Sequence, residues 1–352
     1  MTKKIRVLIV DDSMLFRKVL VERLSQYNYI EIAGYAIDAY DALAKIPKIK
    51  PDVMTLDVEM PRLNGIEFVK KLMPQNPIPV ILVSSLNLNV FEALSAGAVD
   101  FVRKPDMAQQ SSISSFISEL ASKISIASHA RVHTPVVRTQ SASTVNTSSN
   151  ILSSFSRSSK RLDSIIIAIG ASTGGTEATL SVLKSLPADT PGIVVVQHMP
   201  VGFTKMYAER LNRLCQMEVK EAANGDRITR GKVLVAPGDL QMKVVRIGTY
   251  YTVSCFQGEK VSGHRPSVDV LFNSVAESVK KDAVGIIMTG MGRDGASGLY
   301  NMRKNGAYTI GQNKESCVVY GMPMVAYNIG AVCVQASCEN IAGVLKRYLS
   351  GL

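Results

Sequence analysis

Short apolar runs alternate with amphipathic stretches through the first 105 residues of the chain. The runs Ile5–Val10, Ile30–Tyr35, Val53–Leu56, Val80–Val83 and Val99–Val102 have the length and continuity of strands buried on both faces. After the first run, Leu15, Val19, Leu20 and Leu24 recur at helical spacing and predict a helix over Met14–Gln26. Five such alternations predict a doubly wound, five-stranded parallel sheet with helices on both faces. A further helix is expected over Ser111–Ser128, where Ile113, Phe116, Ile117, Leu120 and Ile124 share one stripe.

The periodicity then fails. Ser and Thr crowd out apolar residues over 129–161, which predicts a flexible tether between a domain over 1–128 and another over 162–352. The second domain opens on apolar runs at Ser164–Ile169 and Gly192–Val196, with a third at Val284–Met288. Helical spacing returns at Thr204–Leu214, Val268–Lys280 and Cys338–Leu349, and Val244–Phe256 is hairpin-like. A Rossmann-like α/β domain with a mostly parallel sheet is expected, the hairpin leaving room for mixed pairing.

Composition sharpens this only a little. The 352 residues carry a net charge of +11, which first points to an anionic partner. No dense Lys/Arg run accompanies it, so the bland reading is a mildly basic solvated surface, and nucleic acid is not expected as a partner. Five cysteines, all beyond residue 214 and without a CxxC pair, argue against a disulfide framework or zinc site and for a reducing cytoplasm. No segment holds 18 uninterrupted apolar residues, so no membrane insertion is expected.

Chemistry gathers where the predicted strands end. Asp11 and Asp12 follow the first strand and Asp57 the third, and the carboxyl ends of a parallel sheet face one crevice. Three carboxylates there repel one another unless a cation joins them, and hard oxygen ligands suit Mg²⁺. Ser84 ends the fourth strand and Lys104 follows the fifth, adding a hydroxyl and an ammonium. The set suits phosphoryl transfer to Asp57.

In the second domain, Gly170-Ala171-Ser172-Thr173-Gly174 fits the G-x-S-x-G pattern that presents a serine hydroxyl on a sharp strand-to-helix turn. Such turns also cradle phosphates and dinucleotides. Here G-x-G-x-x-G fails because Ser172 holds the middle glycine position, and the P-loop pattern fails because no Lys follows Gly175. His198 follows the Gly192–Val196 strand and is the candidate base. Asp294 lies on the glycine-rich turn Thr289–Gly295 and is the candidate acid that orients it, in a turn able to furnish an oxyanion hole. His264 carries no assigned role.

The segments Val10-Asp11-Asp12, Leu56–Pro61 with Asp57, Gly65, Val83-Ser84-Ser85 and Arg103-Lys104-Pro105 resemble the receiver domain of two-component response regulators, a flavodoxin-like fold. The resemblance implies phosphorylation of Asp57 by a histidine kinase, with Mg²⁺ held by Asp12, Asp57 and the Glu59 backbone carbonyl beside Asp11. It also implies Ser84, Lys104 and Phe101 as sensors of the phosphoryl group, with Phe101 at the aromatic switch position. Further on, Ile169–Gly175, Val196–Pro200, Ala236–Asp239, His264–Asp269 and Thr289–Gly295 resemble the CheB family of chemotaxis protein-glutamate methylesterases.

That second resemblance implies a Ser172–His198–Asp294 triad, with Thr173 lining the site and the Met291 N–H helping to form the oxyanion hole. It implies hydrolysis of glutamyl γ-methyl esters on methyl-accepting chemoreceptors, deamidation of receptor glutamine, and inhibition by the receiver until Asp57 is phosphorylated. No cofactor is expected for the esterase step, and a monomer is expected. Two rivals remain at this point: a receiver-controlled DNA-binding regulator with a compact helical reader, and a degenerate hydrolase acting as a scaffold.

Overall fold

The computed structural model describes residues 3–85, 89–132 and 161–352. The tether expected over 129–161, together with His133, therefore falls mainly outside the described residues. The chain divides into two compact units, Met1–Thr139 and Gln140–Leu352. Among the described residues no helix is long and apolar enough to cross a membrane.

In the first unit, strands β1 (Ile5–Val10), β2 (Ile30–Ala36), β3 (Val53–Asp57), β4 (Val80–Ser84) and β5 (Asp100–Arg103) alternate with helices α1 (Met14–Leu24), α2 (Ala39–Ile49), α3 (Gly65–Gln75), α4 (Asn89–Ser95) and α5 (Gln110–Ala127). The sheet order is β2-β1-β3-β4-β5 and every pairing is parallel. All five residues of β3 and of β4 are buried, which is why both read as near-continuous apolar runs, with Thr55 the one polar residue inside β3, and not as alternation. The order reverses direction between β1 and β3, and this opens a crevice at their carboxyl ends.

The second unit begins with β6 (Ile166–Ala171), α6 (Gly175–Lys184), β7 (Gly192–Gln197) and α7 (Phe203–Leu214). Next come β8 (Glu218–Glu221), β9 (Arg227–Ile228), β10 (Lys232–Val235), β11 (Gln241–Ile247) and β12 (Tyr250–Phe256). The chain closes with α8 (Val268–Ser278), β13 (Ala283–Ile287), α9 (Ala296–Lys304), β14 (Tyr308–Gln312), α10 (Met322–Asn328), β15 (Val334–Ala336) and α11 (Cys338–Ser350). Seven strands form one sheet in the order β15-β14-β13-β6-β7-β10-β8, parallel throughout. The hairpin β11–β12 does not join it. It pairs antiparallel within its own three-stranded sheet with β9, so the mixed pairing allowed from the sequence is absent from the main sheet. A helical DNA reader is likewise not what this unit contains.

The first strand of this unit runs two residues further than its apolar run. Gly170 and Ala171 stay in register with Val196 and Gln197. A β-carbon on Gly170 would lie 2.1 Å from Val268 Cγ1, so this glycine makes room for the first residue of α8, and the turn starts only at Ser172. The order switches direction at β6, whose neighbours are β7 and β13. The carboxyl ends of those three strands carry the segments that hold Ser172, His198 and Asp294.

Candidate active sites

In the first unit Asp11 and Asp57 are buried and Asp12 is exposed, and a carboxylate oxygen from each lies within 4.8 Å of the other two. Lys104 Nζ is 2.6 Å from Asp57 Oδ2 and 3.4 Å from Asp11 Oδ2. The Glu59 N–H donates to Asp57 Oδ1 at 3.0 Å. Burial pushes the Asp57 carboxyl up to about 6, and the Asp11 charge adds to this while Lys104 opposes it. Burial works against the Lys104 ammonium, yet its contacts with Asp57 and Asp11 outweigh that and hold its pKa above the usual lysine value.

Two buried oxygens in this crevice are poorly satisfied: Ser84 Oγ has no hydrogen-bond partner, and Asp11 Oδ2 has only the 3.4 Å ammonium contact of Lys104. Buried polar atoms are rarely left so. A carboxylate oxygen with one long ionic contact inside an acidic trio fits a hard divalent cation, and an unpartnered hydroxyl fits an arriving oxyanion. Phe101 is buried, its ring 6.4 Å from that of Phe91, with Lys123 Nζ 5.4 Å from the Phe101 centroid.

In the second unit the nucleophile candidate sits on a braced turn. The Ser172 N–H donates to Thr289 O at 3.0 Å, and Ser172 O accepts from the Gly175 N–H at 2.7 Å. Thr289 Oγ1 lies 3.0 Å from Thr173 O and accepts from the Val319 N–H. The turn after β6 is thus tied to the turn after β13. His198 begins where β7 ends, and its N–H donates to Ala171 O at 3.1 Å. Adjacent, in-register strands therefore deliver Ser172 and His198 side by side.

His198 Nε2 is 2.8 Å from Asp294 Oδ2. A carboxylate only accepts, so Nε2 carries the hydrogen, and in the neutral imidazole Nδ1 carries the lone pair. Nδ1 is buried and has no partner, which leaves it as the nitrogen able to take a proton. This reverses the use of the two nitrogens in the serine-protease template. Burial opposes the Asp294 carboxylate, but the His198 contact and the donors around it hold its pKa below the usual carboxylate value.

Those donors come from residues whose role the sequence did not reveal. Ser267 Oγ donates to Asp294 Oδ1 at 2.7 Å, the Val268 N–H to Oδ2 at 2.7 Å and the Asp269 N–H to Oδ1 at 3.0 Å. Asp294 thus sits at the N-terminus of α8, where orphan N–H groups and the helix dipole favour negative charge. The N-cap pattern, Ser267 ahead of an apolar run, can be read from the chain; its engagement of a residue 27 positions away cannot. Gln197 was also missed. Its Nε2 donates to Ser172 O at 2.8 Å and lies 3.3 Å from His198 O, bracing both turns. Thr173 is buried behind Ser172, while Met291 is 44% exposed at the rim. Among the described residues the Met291 N–H makes no backbone bond, whereas the Ser172 and Gly290 N–H groups donate to Thr289 O and Val319 O.

Together these groups place a hydroxyl, a base and an acid beside an available backbone donor, an arrangement suited to acyl transfer. Comparison with known proteins agrees with that chemistry. A family model described as CheB methylesterase matches residues 167–345, and one described as response regulator receiver domain matches residues 7–113. A protein-glutamate methylesterase/protein-glutamine glutaminase 2 of Syntrophomonas wolfei is 52% identical over 350 residues, covering 99% of each chain. A protein of Syntrophotalea carbinolica bearing the name protein-glutamate methylesterase/protein-glutamine glutaminase is 49% identical over 355 residues, again covering 99% of each. The crystal structure of the Thermotoga maritima CheB methylesterase catalytic domain aligns with a TM-score of 0.51 at 35% identity, covering 52% of this chain and 98% of that one.

Proposed function

Since the chain belongs to the CheB methylesterase family and carries a response regulator receiver domain ahead of its catalytic domain, we propose that Ser172, His198 and Asp294 perform its chemistry under the control of Asp57. The protein is a phosphorylation-regulated protein-glutamate methylesterase and protein-glutamine glutaminase acting on chemoreceptors. The domain limits proposed are 1–128 for the receiver, 129–161 for the tether and 162–352 for the hydrolase, with the cytoplasm as its place of action.

In this reading His198 Nδ1 takes the proton as Ser172 Oγ attacks the carbonyl carbon of a glutamyl γ-methyl ester. The imidazolium that forms is stabilised by Asp294, already bound to Nε2. The Met291 N–H donates to the tetrahedral oxyanion. His198 then returns the proton to the methoxy oxygen and methanol leaves. Water, deprotonated by the same nitrogen, attacks the acyl-enzyme and releases glutamate with the Ser172 hydroxyl restored. With a glutamine side chain the steps are the same and the leaving group is ammonia.

In the receiver, Asp57 accepts the phosphoryl group from a chemotaxis histidine kinase. Asp11, Asp12, Asp57 and the Glu59 carbonyl are the groups that would hold Mg²⁺, which when bound offsets the charge of the carboxylates and the phosphoryl oxygens. Lys104 offers an ammonium 2.6 Å from Asp57, and the unpartnered Ser84 hydroxyl is available to the phosphoryl oxygens.

The observation that carries the catalytic assignment is the four-donor seat of Asp294, one of whose donors is His198 Nε2. Methanol release from a methylated chemoreceptor tests it directly. Turnover should require Ser172, and activation by a small phosphodonor should require Asp57.

A further inference from the structure

We propose that His264 is a positioning residue for the reaction, holding the plane of the His198 imidazole by stacking against its face. The two rings lie with centroids 3.7 Å apart and planes inclined by 10°. The proposal rests on the reading of His198 as the base.

A face contact is needed here because hydrogen bonding leaves the His198 ring under-determined. One bond, Nε2 to Asp294 Oδ2, fixes one edge. The opposite edge carries Nδ1, which has no partner. With that bond alone the ring would be free to pivot about the Nε2 contact, and pivoting changes the direction in which the Nδ1 lone pair points. A flat surface laid on the imidazole removes that freedom without occupying either nitrogen. Stacking is thus a means of orienting a base that leaves its lone pair available.

The backbone that bears His264 is itself held on several sides. Val261 and His264 exchange two backbone bonds, His264 N–H to Val261 O at 2.9 Å and Val261 N–H to His264 O at 3.1 Å. Ser262 (φ 53°) and Gly263 (φ 82°) between them both adopt positive φ, the signature of a tight reversal. Arg265 follows and grips Asp239 Oδ1 through Nε at 2.8 Å and Gly258 O through Nη1 at 2.7 Å. Gln241 Nε2 adds a longer bond to His264 O at 3.3 Å.

The next residues reach the same dyad from its other end. Ser267, Val268 and Asp269 donate to Asp294, the partner of Nε2. One continuous stretch, His264–Asp269, thus sets the face of the base and the seat of its acid.

The test uses the full chain, with methanol release from a methylated chemoreceptor and the ¹H resonance of the His198 Cε1–H as readouts. His264→Ala should lower kcat about tenfold with KM within twofold of wild type, the size expected when one aromatic contact is lost. His264→Phe keeps a flat ring and should restore kcat to within about threefold of wild type, whereas His264→Leu, bulky but not flat, should behave like Ala. The His198 resonance should shift in the Ala and Leu variants through loss of the neighbouring ring current, and stay near its place in the Phe variant.

Wild-type kcat in His264→Ala overturns the proposal. So does a raised KM with unchanged kcat, which would make His264 a substrate contact, and so does a Phe variant as slow as Ala with the resonance in place, which would make the imidazole itself necessary. Ser172→Ala and His198→Ala are measured alongside. Turnover in those variants defeats the triad reading itself; their inactivity beside a fully active His264→Ala defeats only the positioning role.

Discussion

A β-carbon added to Gly290 would lie 2.6 Å from Ser172 Cβ and 2.4 Å from Met322 Sδ. Gly290 and Ser172 thus share a space that only one side chain can fill. Gly290→Ala must displace either the nucleophile or the first residue of α10. Overpacking of this kind costs about 1–3 kcal/mol of stability. Misplacement of a reacting group by about 1 Å costs on the order of 10²-fold in rate. The variant should remain folded by thermal melt and lose about two orders of magnitude in methanol release. Full activity would mean that the Ser172 side chain has more room than the structure gives it.

Ser172→Ala removes the hydroxyl and leaves the rest of the site in place. Esterase turnover should fall by on the order of 10⁴-fold or more, since triad members act as a unit. Phosphorylation of Asp57 by a small phosphodonor should be unaffected, because that chemistry belongs to the other domain. Measurable methanol release from methylated receptor would refute the nucleophile assignment.

Asp57→Asn retains an oxygen for the Glu59 N–H but cannot form the acyl phosphate. Activation by a phosphodonor should vanish while basal methanol release persists. An equal response in wild type and variant would place the phosphoacceptor elsewhere.

Asp294 gives a prediction about pH. Its folded-state pKa lies below the ordinary 3.8, so the folded state prefers the carboxylate and gains stability from it at pH values above 3.8. That contribution declines as pH falls below 3.8 and is gone once pH has passed below the folded-state value. Asp294→Asn should therefore melt at a lower temperature than wild type at neutral pH, with the gap narrowing as the acid range is entered. Thermal melts of both proteins from neutral pH into the acid range measure it; a gap that stays constant would argue against a charged Asp294 in the folded state. Its activity should be low at every pH, because an amide at that position can leave His198 in the wrong tautomer.

Much of the receiver was legible from the chain because its chemistry is local to strand ends. Asp11, Asp57, Ser84 and Lys104 each end or follow a short, largely apolar strand, and a parallel sheet brings such ends together whatever the detail of packing. The hydrolase was less legible. Gly170 reads as the start of a turn but continues the strand, because Val268, almost a hundred residues later, occupies the space its side chain would need. Strand β15 has only three residues, one of them buried, too brief for an apolar run to announce. His264 lies in a segment that carries the family resemblance, but nothing local marks its role, since its partner ring is that of His198 beyond the end of β7.

The sequence by itself determined two domains, their parallel sheets, and which residue types stand at each crevice. Those properties depend on burial pattern and turn chemistry, which are written in consecutive residues. Only the tertiary structure decided that Asp294 is seated by the N-terminus of α8, that Nδ1 is the nitrogen left with a lone pair, and that the ring bearing it is covered by His264. A tautomer and a ring plane are set by contacts of the His264–Ser267 segment with His198 and Asp294, residues far from it in the chain, and such contacts exist only once the strands have been brought into register.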